Sequence, residues 1–251
     1  PGYLKTTPVI RMIENAQVNG KKEQERYFTA LLKCLDPDAG KAAAKKDVRV
    51  SINSFFDDKP LELKEDVRAG KMEDYVSPLF YAPNVSWLVQ RNGMHPRNSL
   101  MISLNASEGN HMHANGISME LYGKGYVLGP DAGIGLYLYS GLDYAEYYSQ
   151  FPSHNTVCVD GISSYPVMKS NHSFDLLSCF PASSAATAVK EKFPSVTYSD
   201  VYFREPESRS DQTRMMSIVT TGPETGYYVD VFRSRKERGG DKMHDYFYHN
   251  L

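Results

Sequence analysis

The sequence predicts a mainly β protein, an antiparallel β-sandwich with a short α-helical N-terminal segment. Three observations carry that expectation. Apolar residues before about residue 48 recur at three- and four-residue spacings, as one face of a helix requires. Beyond about residue 75 come short runs of β-branched and aromatic residues, separated by Gly, Asn and Pro clusters, which is the texture of an antiparallel sandwich. Finally, the 18 tyrosines, set against a single tryptophan, gather after residue 120. Tyrosine suits half-buried strands, and its flat face and hydroxyl also suit polar clefts.

The helical part comes first. Val9, Ile10, Met12 and Ile13 suggest a short amphipathic helix ended by the turn at Asn19-Gly20. Tyr27, Leu31, Leu32 and Leu35 fall on one face of a second helix, which Asp36-Pro37-Asp38 stops. An Ala-rich stretch at 41–46 is too short to stand alone. Residues 48–52 alternate as a strand does, Phe55-Phe56 lead into a turn at 57–60, and the charged stretch 62–73 reads as a solvated connector. Strands are then expected at 85–90, 100–105, 117–122, 126–128, 156–159, 195–203, 215–220, 227–232 and 246–248. Tyr122-Gly123-Lys124-Gly125-Tyr126 forms a tight hairpin in this reading. No internal repeat or low-complexity tract interrupts the pattern. The chain opens without an initiator Met and closes inside an expected strand, so both ends are expected to be cut from a longer polypeptide. Two domains are expected, 1–75 and 76–251, the second truncated.

Bulk properties set bounds on function. With 251 residues, 41% hydrophobic and 23% charged, the composition is that of an ordinary globular protein. A net charge of −2 gives no sign of nucleic-acid binding, although a local basic groove can hide in a neutral sum. No apolar run approaches the ~20 residues needed to span a bilayer, and the N-terminus has no signal-peptide pattern. Cys34, Cys158 and Cys179 are odd in number and lack CxxC spacing, so buried free thiols are expected and not a disulfide framework. The basic run 233–238, followed by Gly239-Gly240, is expected at a solvated hairpin tip, where it could also attract an acidic polymer.

The chemistry concentrates between residues 111 and 155. In His111-Met112-His113 an extended backbone would turn both imidazoles to the same face. Asp131 follows the expected hairpin and can return beside His113, and His154 opens the strand expected at 156–159. Two imidazoles and a carboxylate make a sensible Zn²⁺ set with a fourth position for water or another ligand. The HxH spacing alone is weak evidence, since such a pair is more often surface or core histidine. Arg91 and Arg97 around Asn92-Gly93 could bind sugar carboxylates or simply border a hairpin. The tyrosines at 137, 139, 144, 147 and 148 lie between the Asp131 and His154 segments and fit strand packing or a cleft. His244 and His249 read as structural.

Three short motifs give this region a family likeness. Gly109 to Tyr122, containing His111-Met112-His113, resembles the HxH-containing strand of heparinase II/III-like polysaccharide lyases. Gly125 to Gly133 resembles their next strand and its metal-binding Asp. Ser153-His154-Asn155-Thr156 resembles their HNT motif. The motifs occur in the family's order and cover about residues 84–165. The resemblance implies that His113, Asp131 and His154 are Zn²⁺ ligands and that His111 faces substrate, neutralising a uronate carboxylate or moving a proton. It implies that Asn155 supports His154, while Asn115 stands where many relatives carry Asp. It further implies that residues 1–75 are the last helices and linker of an (α/α) toroid, which in the family supplies an Asn or His and a key Tyr. The chain by itself is therefore expected to be inactive.

The activity implied is β-elimination on a uronic-acid glycan, alginate-like or glycosaminoglycan-like, in a periplasmic or secreted bacterial protein. In such enzymes the metal braces the catalytic wall and does not activate water. Two other readings stand beside this one. A carbohydrate-binding sandwich could have kept the metal and lost the chemistry. A zinc hydrolase would need a general base such as Glu108 or Glu120.

Overall fold

The computed structural model describes residues 6–36, 70–95, 97–110, 114–132, 142–162, 169–182, 193–239 and 242–250. The stretches expected at 41–46, 48–60 and 62–69 lie outside these residues. Two compact units divide the chain, Pro1–Val76 and Ser77–Leu251.

The described residues of the first unit hold a helical pair. α1 spans Thr6–Val18 and α2 spans Lys22–Leu35. Between them Gly20 takes φ +65, the left-handed conformation that ends a helix most cheaply in glycine, and the Lys21 N–H closes the end on Ala16 O at 2.8 Å. Val9, Ile13 and Leu32 are buried together, with Ile10, Phe28, Leu31 and Leu35 packed against them. This is the apolar stripe that the spacing predicts, except that Met12 turns outward and is exposed. Asp36 ends α2 in extended backbone, its N–H on Leu32 O. No helix among the described residues is long and apolar enough to cross a membrane.

The second unit is the predicted β-sandwich. Its first sheet contains β1 (Leu79–Ala82), β2 (Trp87–Arg91), β3 (Met101–Asn105), β5 (Ser118–Gly123) and β6 (Tyr126–Gly129), in the order β1-β2-β3-β5-β6. The facing sheet runs β12-β11-β10-β9, from β9 (Asp175–Phe180), β10 (Val196–Arg204), β11 (Asp211–Gly222) and β12 (Thr225–Arg235). All these pairings are antiparallel. Two small ladders complete the unit, β4 (Ser107–Asn110) with β8 (Lys169–His172), and β7 (Val157–Val159) with β13 (His244–Tyr246).

One core lies between the two main sheets. Leu88, Ile102, Leu104, Met119 and Leu121 of the first sheet meet Val201, Phe203, Met216 and Ile218 of the second. β10 alternates strictly, with Thr197, Ser199, Val201 and Phe203 inward. The core is not wholly apolar. Gln90 is fully buried, donates to Met216 O at 3.2 Å and accepts from Ser199 Oγ at 2.7 Å, so a satisfied polar bridge crosses the layers. The hairpin between β5 and β6 forms as predicted. Lys124 and Gly125 both have positive φ (+57 and +85), the two-residue turn that matches strand twist.

Several expectations are corrected. The strand expected at 215–220 runs from Asp211 to Gly222, because the inward positions at its start are Gln212 and Arg214, whose polarity masks the alternation. The last strand is shifted to His244–Tyr246, set by its pairing with β7. β1, β4, β8 and β9 have no strand signal in the sequence: β4 and β8 are short and polar, and β9 exposes Leu177 and Phe180. The basic run is not a hairpin tip: Arg233–Arg235 continue β12 against Asp211–Thr213, and Lys236 reaches Asp160 at 2.5 Å. Of the three free thiols, only Cys158 is buried, which pushes its pKa up to about 11; Cys34 is exposed.

Candidate metal centre

The candidate site lies where the β5–β6 hairpin meets the segment entering β7. β6 returns antiparallel to β5, with Leu121 opposite Gly129. Pro130 then ends the strand and delivers Asp131 alongside Ser118 and Glu120. The Ser118 hydroxyl donates to Asp131 Oδ2 at 2.7 Å, and the Asp131 N–H donates to Glu120 Oε1 at 3.4 Å. Glu120 is thus engaged in holding the Asp131 backbone. Its pKa is raised, first by burial, against the opposing pull of the Asp131 N–H.

His154 arrives from the other side. A 3₁₀ turn, Phe151–Ser153, carries Pro152 early, where a missing N–H costs nothing. Phe151 is buried against Ala114 and Cys158 and anchors this turn. The turn hands His154 on in extended backbone toward β7. Its ring is fully buried, with Nδ1 2.8 Å from Asp131 Oδ1 and 2.9 Å from Oδ2; the carboxylate is 17% exposed.

Asn155 ties the two halves together. Its amide donates to Met119 O and Pro130 O, both at 2.9 Å, and its Oδ1 accepts the His249 N–H at 2.6 Å. The side chain therefore fixes β5, the Asp131 turn and the C-terminal segment at one point. His249 also places Nε2 3.0 Å from Pro152 O, and His244 Nδ1 lies 2.8 Å from Ser234 Oγ, both structural contacts as expected.

His111 and His113 lie outside the described residues, as do Tyr137 and Tyr139. Among the described residues no group of three or more His, Cys, Asp or Glu side chains is placed to hold a metal. What the structure does bring together is the imidazole of His154 and the carboxylate of Asp131. These are the donor types Zn²⁺ takes, held from outside by Ser118, Glu120 and Asn155. Two donors of the right type are thus present among the described residues. The Ala114 N–H donates to Ser149 O at 3.0 Å. Ser149 ends a π-helical turn, Tyr144–Tyr148, so these tyrosines do not form a strand. Tyr144 is buried and Tyr147 is exposed.

The sequence reading overlooked Ser118 and Arg214. Arg214, on β11, is fully buried and grips Asp230 as a fork, Nε to Oδ1 at 3.0 Å and Nη2 to Oδ2 at 2.7 Å. Its Nη1 donates to Ile117 O at 2.7 Å and to Asn155 O at 2.6 Å. A lone Arg at an inward position of an alternating strand, between Gln212 and Met216, was the available signal.

With this geometry in hand, comparison with known proteins is specific. The profile of the heparinase II/III-like, C-terminal family matches residues 76–228, more than half of the sequence, and the chain belongs to that family. An endo-acting ulvan lyase from Formosa agariphila is 28% identical over 190 residues, 71% of this chain and 23% of the relative. The matched region thus spans about a quarter of that relative's length. Among solved structures, a heparinase III (the BT4657 gene product) superposes with a TM-score of 0.50 at 17% identity, over 70% of this chain and 24% of its own. The heparan sulfate lyase HepC from Pedobacter heparinus gives a TM-score of 0.49 at 17% identity, over 69% and 24%. The relatives are polysaccharide lyases, and the heparinase III structure bears on the fold.

Proposed function

We propose that the protein containing this chain is a polysaccharide lyase that cleaves a uronic-acid glycan by β-elimination. In this reading the chain supplies the sandwich wall of the active site, and residues 1–75 are the end of a helical toroid that carries further catalytic groups. The observation that carries the proposal is the buried His154 ring beside the Asp131 carboxylate, 2.8 Å apart, inside the region matched by the family. His113 completes a Zn²⁺ set with that pair. When bound, the ion would supply a fixed positive brace for the wall.

Elimination makes defined demands on the protein. The C5 proton of a uronate is weakly acidic, so the neighbouring carboxylate must be neutralised as negative charge develops. A base takes that proton, the C4–O bond breaks, a C4–C5 double bond forms, and an acid protonates the leaving oxygen. His111 is the residue of this chain assigned to the substrate face, for carboxylate neutralisation or proton transfer. Ser118, Glu120 and Asn155 bind no substrate in this reading; they hold Asp131 and His154. Glu120 accepts the Asp131 N–H at 3.4 Å, and in this reading its role is support. The proposal also places the protein in the periplasm or outside the cell, where acidic polymers are met.

The test is direct. Full-length protein is incubated with ulvan, alginate and heparan sulfate while ultraviolet absorbance is followed. A rise in absorbance from the new C4–C5 double bond on one of them supports the lyase. Chain cleavage without that absorbance identifies a hydrolase. Binding without cleavage identifies a carbohydrate-binding sandwich.

A further inference from the structure

We infer that Arg214 is a positioning residue for the His154–Asp131 pair, acting on both halves through two backbone carbonyls. The inference rests on the reading of that pair as part of a metal centre. Nη1 of Arg214 donates to Ile117 O and Asn155 O, at 2.7 and 2.6 Å. Each carbonyl sits one residue from a side chain that defines the pair. Ile117 is followed by Ser118, whose hydroxyl holds Asp131 Oδ2, and Asn155 directly follows His154. A single nitrogen therefore sets the separation of the two backbone segments on which the carboxylate and the imidazole depend.

The guanidinium is itself immobilised. Asp230 takes it as a two-point fork, the geometry in which Arg pairs most rigidly with a carboxylate. The Tyr246 hydroxyl lies 3.0 Å from Nη2 and donates to Asp230 Oδ2 at 2.6 Å. The rings of Phe232 and Tyr246 lie 5.2 and 5.8 Å from the guanidinium carbon, within range of cation–π attraction. β11 and β12 belong to the opposite sheet from β5 and β6, so the second layer of the sandwich reaches across to the site. A buried cation with this many fixed partners is expensive to maintain, and burial of an apolar side chain would serve stability as well. What the arrangement adds is a defined position for two carbonyls beside the site.

The experiment measures Zn²⁺ affinity by chelator competition for the wild type, Arg214→Lys, Arg214→Met and Phe203→Ala. Folding is checked by circular dichroism and by the melting temperature of the metal-free proteins. Phe203 lies in the core and its side chain has no polar atom to join the named hydrogen bonds, so its variant controls for lost stability. Arg214→Lys keeps the charge that Asp230 needs and preserves a folded variant if Arg214→Met does not fold. The expected result is affinity weakened about 10–100-fold in the folded Arg214 variants, the range for lost outer supports of a metal ligand, with Phe203→Ala destabilised but unchanged in affinity. Wild-type affinity in folded Arg214→Lys and Arg214→Met would overturn the inference. A wild type that binds no Zn²⁺ overturns the metal reading instead. The positioning role then stands or falls on the His154 ring ¹⁵N shifts of metal-free protein: altered by Arg214→Lys, they support it, and unaltered, they overturn it.

Discussion

The imidazole of His154 and the carboxylate of Asp131 are 23 residues apart in sequence and 2.8 Å apart in space. That approach depends on few atoms: the Ser118 hydroxyl, the Glu120 carboxylate and the Asn155 amide. Replacing Asn155 with Ala removes four hydrogen bonds from a fully buried group and orphans the His249 N–H. A loss of about 2–4 kcal/mol in unfolding free energy, measured in denaturant, is the expected outcome, from about 1–3 kcal/mol for each buried group left unsatisfied. His111→Ala should lower kcat of the full-length lyase by about 10²–10⁴, the usual contribution of one proton-transfer group, while leaving bound Zn²⁺ unchanged. Loss of metal in that variant would instead make His111 a ligand. Away from the site, Asp160 is held below the ordinary carboxylate range, first by Lys236 at 2.5 Å and then by the Met243 N–H at 2.8 Å. With a folded pKa depressed below the unfolded value of about 4, its stabilisation is fully present above that value. It is lost as pH falls through the folded pKa. Asp160→Asn should therefore melt lower than the wild type at neutral pH, and the two melting temperatures should converge in acid. At this scale the sequence singled out His154, Asp131 and Asn155 as candidates because their motifs are local, and the structure sets His154 beside Asp131. Ser118 and Arg214 stayed hidden because their roles arise from contacts across strands.

Elements position these residues through turns as much as through strands. Gly116 sits at φ +54 just before β5, where an added Cβ would lie 2.7 Å from Phe151 Cε1 and 2.8 Å from Thr156 Oγ1. Gly116→Ala combines backbone strain with a clash against the residue that anchors the His154 turn. Its expected cost is about 1–3 kcal/mol of stability in a thermal melt, the range for one strained backbone position. Within the sandwich, Phe203→Ala removes a buried ring and should cost about 3–5 kcal/mol. Leu177→Ala on β9, whose side chain is 56% exposed, should change stability by less than about 0.5 kcal/mol. Strands that alternate cleanly, such as β10, could be read from the sequence almost to the residue. β11 was read short because Gln212 and Arg214 face inward, and the polar strands β4 and β8 offered no hydrophobic period to find.

At the scale of the molecule, the second unit is a sandwich whose two sheets share one core, and the site grows from one end of that core. The fold class was legible because strand texture and turn chemistry agree over β2, β3, β5, β6, β10 and β12. The site was legible in part: three short motifs name its residues, and the structure brings Asp131 and His154 together, while His111 and His113 lie outside the described residues. Family membership and the sandwich fold are established; the Zn²⁺-braced wall facing an acidic glycan is what we propose on top of them. The measurement that tests this most directly is the metal content of purified protein by elemental analysis, for the wild type beside His113→Ala and His154→Ala. The account predicts about one Zn²⁺ per chain in the wild type, lost in both variants while they remain folded. A well-folded wild type without Zn²⁺, or folded variants that keep it, would contradict the assignment of His113, Asp131 and His154.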